Sequence, residues 1–227
     1  MNGPDKNIDL KGMPVLLSAS LPGEPADSSQ ASTFYTAVAL LAHEIFSAGG
    51  RVIFGGHPSV VPLVREAANK LNKKEAIDVY QLRRFEGDAP EAITDDAAFS
   101  RIHWIDGDVD DIDTELARMR DKMAEAAQAA VFVGGKTADH YGKTPGIRDE
   151  YQRFAARHPE GPVYLMGLLG GETRRLIQEM EAGDPAARNG LSDEERQALH
   201  HSTSIDLIVS LIVGDLARKA EENGKQA

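Results

Sequence analysis

The segment "AAVFVGGKTADHYGKTPGIRDEY" (129–151) decides how the whole chain is read. Its apolar start is strand-like, and Gly134-Gly135-Lys136-Thr137 shares its letters with the end of a phosphate-binding P-loop. A P-loop needs G-x-x-x-x-G-K-[ST], so a glycine should stand five positions before Gly135. Ala130 stands there, and Val131, Phe132 and Val133 continue as strand instead of wrapping a phosphate. "ADHYGKTPG" (138–146) is loop-like where a P-loop would open a helix. The four letters are therefore the glycine turn that follows a strand. A helix opened by "TPGIRDEY" (144–151) then carries Glu150 four residues after Gly146.

Outward from this stretch, strand-like and helix-like segments alternate, as in an α/β fold with a parallel sheet. "MPVLLS" (13–18) is a first buried strand, and Phe34, Val38, Leu41 and Ile45 form one helical face at 4, 3, 4 spacing. Gly49-Gly50 ends that helix, and "RVIFGG" (51–56) is the second strand. Pro58 suits a first helical turn, followed by Val60, Val64, Ala67 and Leu71 at the same spacing. "AIDVYQL" (76–82) and "RIHWI" (101–105) are strands, separated by a long polar loop at 83–100. Ile112, Leu116, Met119, Met123, Ala126 and Ala130 mark a helix that leads into "AVFVGG" (130–135).

A helix over about 145–158 presents Ile147, Tyr151 and Phe154 on one face. "GPVYLMG" (161–167) is the last strand, and "LGGETRRLIQEMEAG" (169–183) a further helix. Ser192 and Glu195 make a capping box. The final helix, roughly 203–222, is apolar on several faces and belongs inside the fold or in a subunit interface. The expected fold is a Rossmann-like, doubly wound, mainly parallel sheet flanked by helices. It occupies one domain over 1–227, with a core at about 13–182 and a C-terminal helical extension at about 192–222.

Composition narrows the function. The 25 basic and 36 acidic side chains give a formal charge of −11, so nucleic acid is not expected as a partner. A chain without cysteine has neither disulfides nor thiolate metal sites nor a cysteine nucleophile. "IDLIVSLIVGDLA" (205–217) contains Asp206 and Asp215 and is too short and too charged to span a bilayer of roughly 20 residues. The first residues lack the basic and apolar regions of a signal peptide. A cytoplasmic protein without membrane contact is expected.

In a doubly wound sheet, ligands sit beyond the carboxyl ends of the strands. Four small-residue stretches fall there: Ser18-Ala19-Ser20, Gly55-Gly56-His57-Pro58, Gly134-Gly135-Lys136, and "GLLGGET" (167–173) with Gly170, Gly171, Glu172 and Thr173. Small residues free backbone amides and admit close approach, and helix N-termini behind them favour an anion. Arg83 and Arg84, after the third strand, could meet phosphate, and Glu150 could accept ribose hydroxyls or act as an acid/base.

Other motifs are absent. No G-x-G-x-x-G follows a strand, and no G-x-S-x-G elbow surrounds Ser18 or Ser20. "DGDVDDID" (106–113) fails as a calcium loop, having Asp111 at position six and Ala117 at position twelve. Its acids suit the start of a helix instead. The seven histidines are scattered, and the adjacent pair His200-His201 would not share a helical face, so no metal site is expected from the sequence, short of one assembled in three dimensions.

With these residues placed, the chain resembles the SLOG superfamily, on "PVLLSAS" (14–20), "AGGRVIFGGHP" (48–58) and "VFVGG…GIRDEY" (131–151). That Rossmann-like group includes LOG phosphoribohydrolases and nucleotide-derivative sensing domains attached to Sir2 or TIR effectors in bacterial antiphage defence. It also includes the ligand-sensing region of melastatin-type TRP channels. The LOG box P-G-G-x-G-T-x-x-E is matched by Gly134-Gly135 and, displaced by an inserted loop, by Gly146 and Glu150. The inserted loop and helix glutamate resemble the sensor branch. That resemblance implies an ADP-ribose, cyclic ADP-ribose or NAD-like ligand, with no cofactor required. Its phosphates would lie on the glycine turns, with Arg83 or Arg84 as contacts and Glu150 on a ribose. It further implies an effector domain or partner chain and a homo-oligomer. The more distant LOG or deoxyribosyltransferase likeness implies an N-glycosidic hydrolase or transferase instead, with Glu150 as its catalytic residue.

Overall fold

Two-residue alternation along the strands splits the core into two layers. In β1 (Pro14–Ser20), Val15 and Leu17 join one apolar cluster while Leu16 joins the other. In β5 (Ala129–Gly134), Val131 and Val133 divide from Ala130 and Phe132 in the same way. Successive side chains of a strand point to opposite faces, so a sheet buried on both sides must be apolar at every step. The structure, a computed structural model, describes residues 8–23, 28–86, 101–107, 111–138, 144–182 and 189–226.

The other strands are β2 (Arg51–Phe54), β3 (Ile77–Leu82), β4 (Arg101–Ile105) and β6 (Val163–Met166). They form one sheet in the order β4-β3-β2-β1-β5-β6, with every neighbouring pair parallel. Right-handed crossovers place the helices on one face while the chain moves from β1 to β3, and on the other once it turns back to β5. Accordingly, α1 (Ser28–Ser47) and α2 (Val61–Leu71) cover one face. The other face carries α3 (Ile112–Ala126), α4 (Gly146–Arg157) and α5 (Gly171–Ala182). The expected Rossmann-like, doubly wound α/β fold is the observed one.

Phe34, Val38, Leu41 and Ile45, the sequence-read stripe of α1, are all fully buried. Asp111 caps α3 by accepting the Asp113 N–H, and acids at that end oppose the positive pole of the helix. The capping box at Ser192 and Glu195 is formed at the start of α6 (Asp193–His201). The final helix, α7 (Ile205–Gln226), belongs inside the fold, where Ile208, Val209, Ile212, Val213 and Leu216 enter the α1 side of the core. Among the described residues, no helix is long and apolar enough to cross a membrane.

Three boundaries differ from the sequence reading. Ser18, Ala19 and Ser20 are the end of β1, not a turn after it, because pairing with β5 continues to Ser20 opposite Gly134. The helix expected to reach Ala130 stops at Ala126, and Ala130 is already a buried residue of β5. β2 ends at Phe54, which leaves Gly55 and Gly56 free to turn. In the 83–100 loop, Arg83–Phe85 form a short 3-10 turn, and residues 87–100 lie outside the described residues.

One buried charge ties α7 to the sheet edge. Asp215, fully buried, accepts from the Tyr164 hydroxyl at 2.8 Å, the Gly190 N–H at 2.8 Å and Arg218 Nη2 at 2.9 Å. Burial first, and then the Asp215 charge, hold the Tyr164 phenol well above its usual 10, so it stays a donor. Asp215→Ala is expected to lower the unfolding free energy by about 3 kcal/mol, because it strands several donors at once. Tyr164→Phe should cost about 1.5–3 kcal/mol, the range for one hydrogen bond to a charged group. Urea denaturation of both variants measures the difference.

Candidate functional site

The sheet reverses its winding between β1 and β5, and helices leave those two strands on opposite faces. A crevice must open at the carboxyl ends of such a pair. A cavity of about 460 Å³ occupies that place, within the roughly 300–1,000 Å³ typical of small-molecule sites. The ends of β1 and β2, the start of α4 and one side of α3 enclose it. Of the residues singled out in the sequence, Ser18, Ser20, Gly55, Gly56, His57, Lys136, Gly146 and Glu150 line this cavity.

Glu150 is the central polar group. It follows the first turn of α4, whose Ile147 and Phe154 anchor the helix in the core, and its side chain is only 16% exposed. Burial raises its pKa above 4.5, against the opposing pull of Arg120 and of a hydrogen bond with the Ser18 hydroxyl. Asp149 adds a smaller upward push. Arg120 reaches from α3 and holds Asp149 at 2.9 Å while standing 3.7 Å from Glu150. Gly146 leaves room for that guanidinium, since a Cβ there would lie 3.0 Å from Arg120 Nη2.

At the opposite wall, Gly56 turns with a positive φ of 65° and sends His57 to the rim. The Ser59 hydroxyl lies 2.8 Å from His57 Nδ1, and the Ser59 N–H donates to the same nitrogen at 3.3 Å. That contact makes Nδ1 the acceptor and leaves Nε2 as the protonated nitrogen of the neutral ring. Enclosure by the crevice walls, and secondarily the Lys136 ammonium, lower the His57 pKa below 6.5, although the residue keeps an exposed face. Lys136 therefore stands at the rim beside a neutral His57.

The remaining sequence candidates gather elsewhere. Gly134 and Gly135 adopt φ values of 72° and 94° and form a backbone junction. The Gly135 N–H donates to the Ser20 carbonyl at 2.8 Å, and the Gly135 carbonyl accepts from the Glu172 N–H at 2.9 Å. A Cβ on Gly134 would collide with the Ser20 carbonyl oxygen, and one on Gly171 with the Gly135 carbonyl oxygen. Gly170, Gly171, Glu172 and Thr173 thus open α5 against the β5 turn, outside the cavity lining. The Glu172 carboxylate is buried and pairs with Arg148, and the Thr173 side chain is fully buried.

Arg83 and Arg84 do not line the cavity either. Arg83 pairs with Asp106 and Glu86 and lies over the Trp104 ring, while Arg84 holds the buried Glu115 at 2.6 Å. Sequence reasoning missed Arg120, Gln81, Phe85, Leu116 and Met119, all close to or lining the crevice. Leu116 and Met119 carried a helical signal, but only tertiary packing turns that helix under the strand ends. Arg120 had no local signal at all.

The sequence model of the SLOG cluster3 family matches residues 26–201. No curated protein matches the chain. Among solved structures, it is similar to the X-ray structure of TM1055, a Northeast Structural Genomics Consortium target, with a TM-score of 0.54 and 17% identity. The likeness covers 88% of this chain and 98% of that one, and at such identity it concerns the fold alone.

A carboxylate whose folded pKa is raised destabilises the native state at neutral pH. The native protein binds the proton more tightly than the unfolded chain, so stability falls as pH rises through the folded pKa. Glu150→Gln removes that cost while preserving shape. Its melting temperature is expected to exceed the parent's at pH 7.5, with the gain vanishing as pH falls below 4.5. Calorimetric scans across that range test the sign.

Proposed function

The chain belongs to the SLOG cluster3 family, and from that membership we propose that its crevice binds a nucleotide-derived signal of the ADP-ribose, cyclic ADP-ribose or NAD type. The observation that carries this reading is the cavity of about 460 Å³ at the winding reversal, with Glu150 and Ser18 paired on its wall. A carboxylate beside a hydroxyl suits the adjacent hydroxyls of a ribose, which donate and accept in a fixed geometry. Gly55 and Gly56 admit close approach of a phosphate, and Lys136 supplies the compensating charge. Leu17, Phe54, Met119 and Ile147 offer apolar walls to a base.

In this reading the protein is a sensor. It passes occupancy of the crevice to an effector domain or partner chain, as in an antiphage defence system, and does so as a homo-oligomer. The end of β1 lines the cavity, and α1 and α7 pack into the same core layer as β1, so a local change at the ligand has a packed path through that layer. A second reading follows from the raised pKa of Glu150. A carboxyl whose pKa burial raises is suited to general-acid work at an N-glycosidic bond, and would make the protein a hydrolase or transferase on nucleotides.

Titration calorimetry against ADP-ribose, cyclic ADP-ribose and NAD is expected to give saturable binding to at least one of them. Glu150→Ala should weaken that binding about tenfold or more, the loss of a charge-assisted hydrogen bond. Lys136→Ala should weaken it several-fold, with a steeper loss at low salt. Silence across the whole panel would overturn the proposal. Chromatography after long incubation separates the two readings, since release of free nicotinamide or adenine identifies an enzyme and an unchanged pool a sensor.

A further inference from the structure

Beside the edge strand β6, apart from the crevice lining, three side chains from two helices meet. Glu181 closes α5, and His200 and His201 close α6. Adjacent residues on a helix point about 100° apart, which is why the pair carried no signal in the sequence. Glu181 resolves that divergence by standing between them. Its Oε1 lies 3.4 Å from His200 Nδ1 and 2.9 Å from His201 Nε2, and one ligand atom from each residue lies within 4.8 Å of the others. We propose that Glu181, His200 and His201 form a zinc site, in which two imidazoles and one carboxylate hold the ion and a fourth position stays open.

The donor set is the one zinc favours when it keeps an exchangeable position, namely three protein ligands of nitrogen and oxygen type. Bond lengths of about 2.0–2.2 Å place tetrahedral ligand atoms roughly 3.3 Å apart. The observed 2.9 and 3.4 Å from the carboxylate bracket that spacing, and the two imidazole nitrogens, within 4.8 Å of each other, close to it on binding. His200 is nearly buried, with its side chain 9% exposed, so the site is fixed on one side by the core. On the other side lies a second cavity of about 390 Å³, floored by Val163, Leu165 and Met180. Water or a small anion entering there would complete the coordination.

One contact competes with the ion. Arg174 Nη1 lies 2.9 Å from His201 Nδ1, and a guanidinium can only donate. The proton of His201 then resides on Nε2, facing Glu181. Ligation through Nε2 moves that proton to Nδ1, so Arg174 must withdraw, while its Nη2 can keep the Gly167 carbonyl at 2.9 Å. Arg174 thus sets the affinity, and its removal favours the metal. Arg196, which lines this cavity, is paired with Asp193.

Calorimetric titration of the untagged full chain with zinc chloride tests the site. One equivalent should bind with micromolar or tighter affinity. His201→Ala, at a half-exposed position, should weaken binding at least tenfold, and Arg174→Ala should strengthen it several-fold. X-ray absorption on the zinc-loaded parent should show two imidazole ligands, a readout independent of how any variant folds. Absence of binding at millimolar zinc would overturn the proposal. So would affinity unchanged in His201→Ala, or an absorption spectrum without imidazole.

Discussion

The hydrogen bond from the Gly135 N–H to the Ser20 carbonyl closes the β1–β5 pairing at the point where the sheet reverses its winding. Everything around the candidate site depends on that closure. It ends both strands at the same height, and so fixes where α1 and α4 can depart on opposite faces. The Gly135 carbonyl extends the arrangement to α5 by accepting the Glu172 N–H. A single glycine backbone therefore registers three elements without using a side chain. The crevice is the space left on the other side of the two strand ends.

This organisation separates two uses of charge. Several arginines are matched to carboxylates that the fold itself buries, as in Arg84 with Glu115, Arg148 with Glu172 and Arg51 with Asp78. Guanidiniums so engaged hold helices and strands together, and stripping them of their partners would leave charges uncompensated in a low-dielectric setting. The crevice has Lys136 and a neutral His57 at its rim and a carboxyl of raised pKa within.

The fold was legible in the sequence wherever burial imposes a period. The α1 stripe, the continuous apolar run of β5 and the glycine stops between them are local patterns, and each is found where it was expected. Strand ends were less legible, because Ser18 and Ser20 are polar residues kept in β1 only by the pairing with β5. In the site, Ser18, Ser20, Gly55, Gly56, His57, Lys136, Gly146 and Glu150 could be gathered because parallel strands all end on one side, whereas the turns at Gly134 and Gly170 close a backbone junction beside it. Arg83 and Arg84 could not be placed, since their carboxylates Asp106 and Glu115 lie 23 and 31 residues away in the chain. Arg120 and the meeting of Glu181 with His200 and His201 are likewise products of helix packing, which no short window of sequence contains.

The glycine junction has one more consequence, for how this protein can change. At Gly134 and Gly171 the atoms that an added Cβ would strike are main-chain carbonyl oxygens, of Ser20 and Gly135. A clash with a side chain can be relieved by shortening the neighbour, but no exchange of residue type removes a carbonyl. Compensating substitutions are therefore closed to these two positions, whereas the walls of the crevice, built from side chains, stay open to them. The lining of the crevice can drift over generations on a backbone knot that cannot.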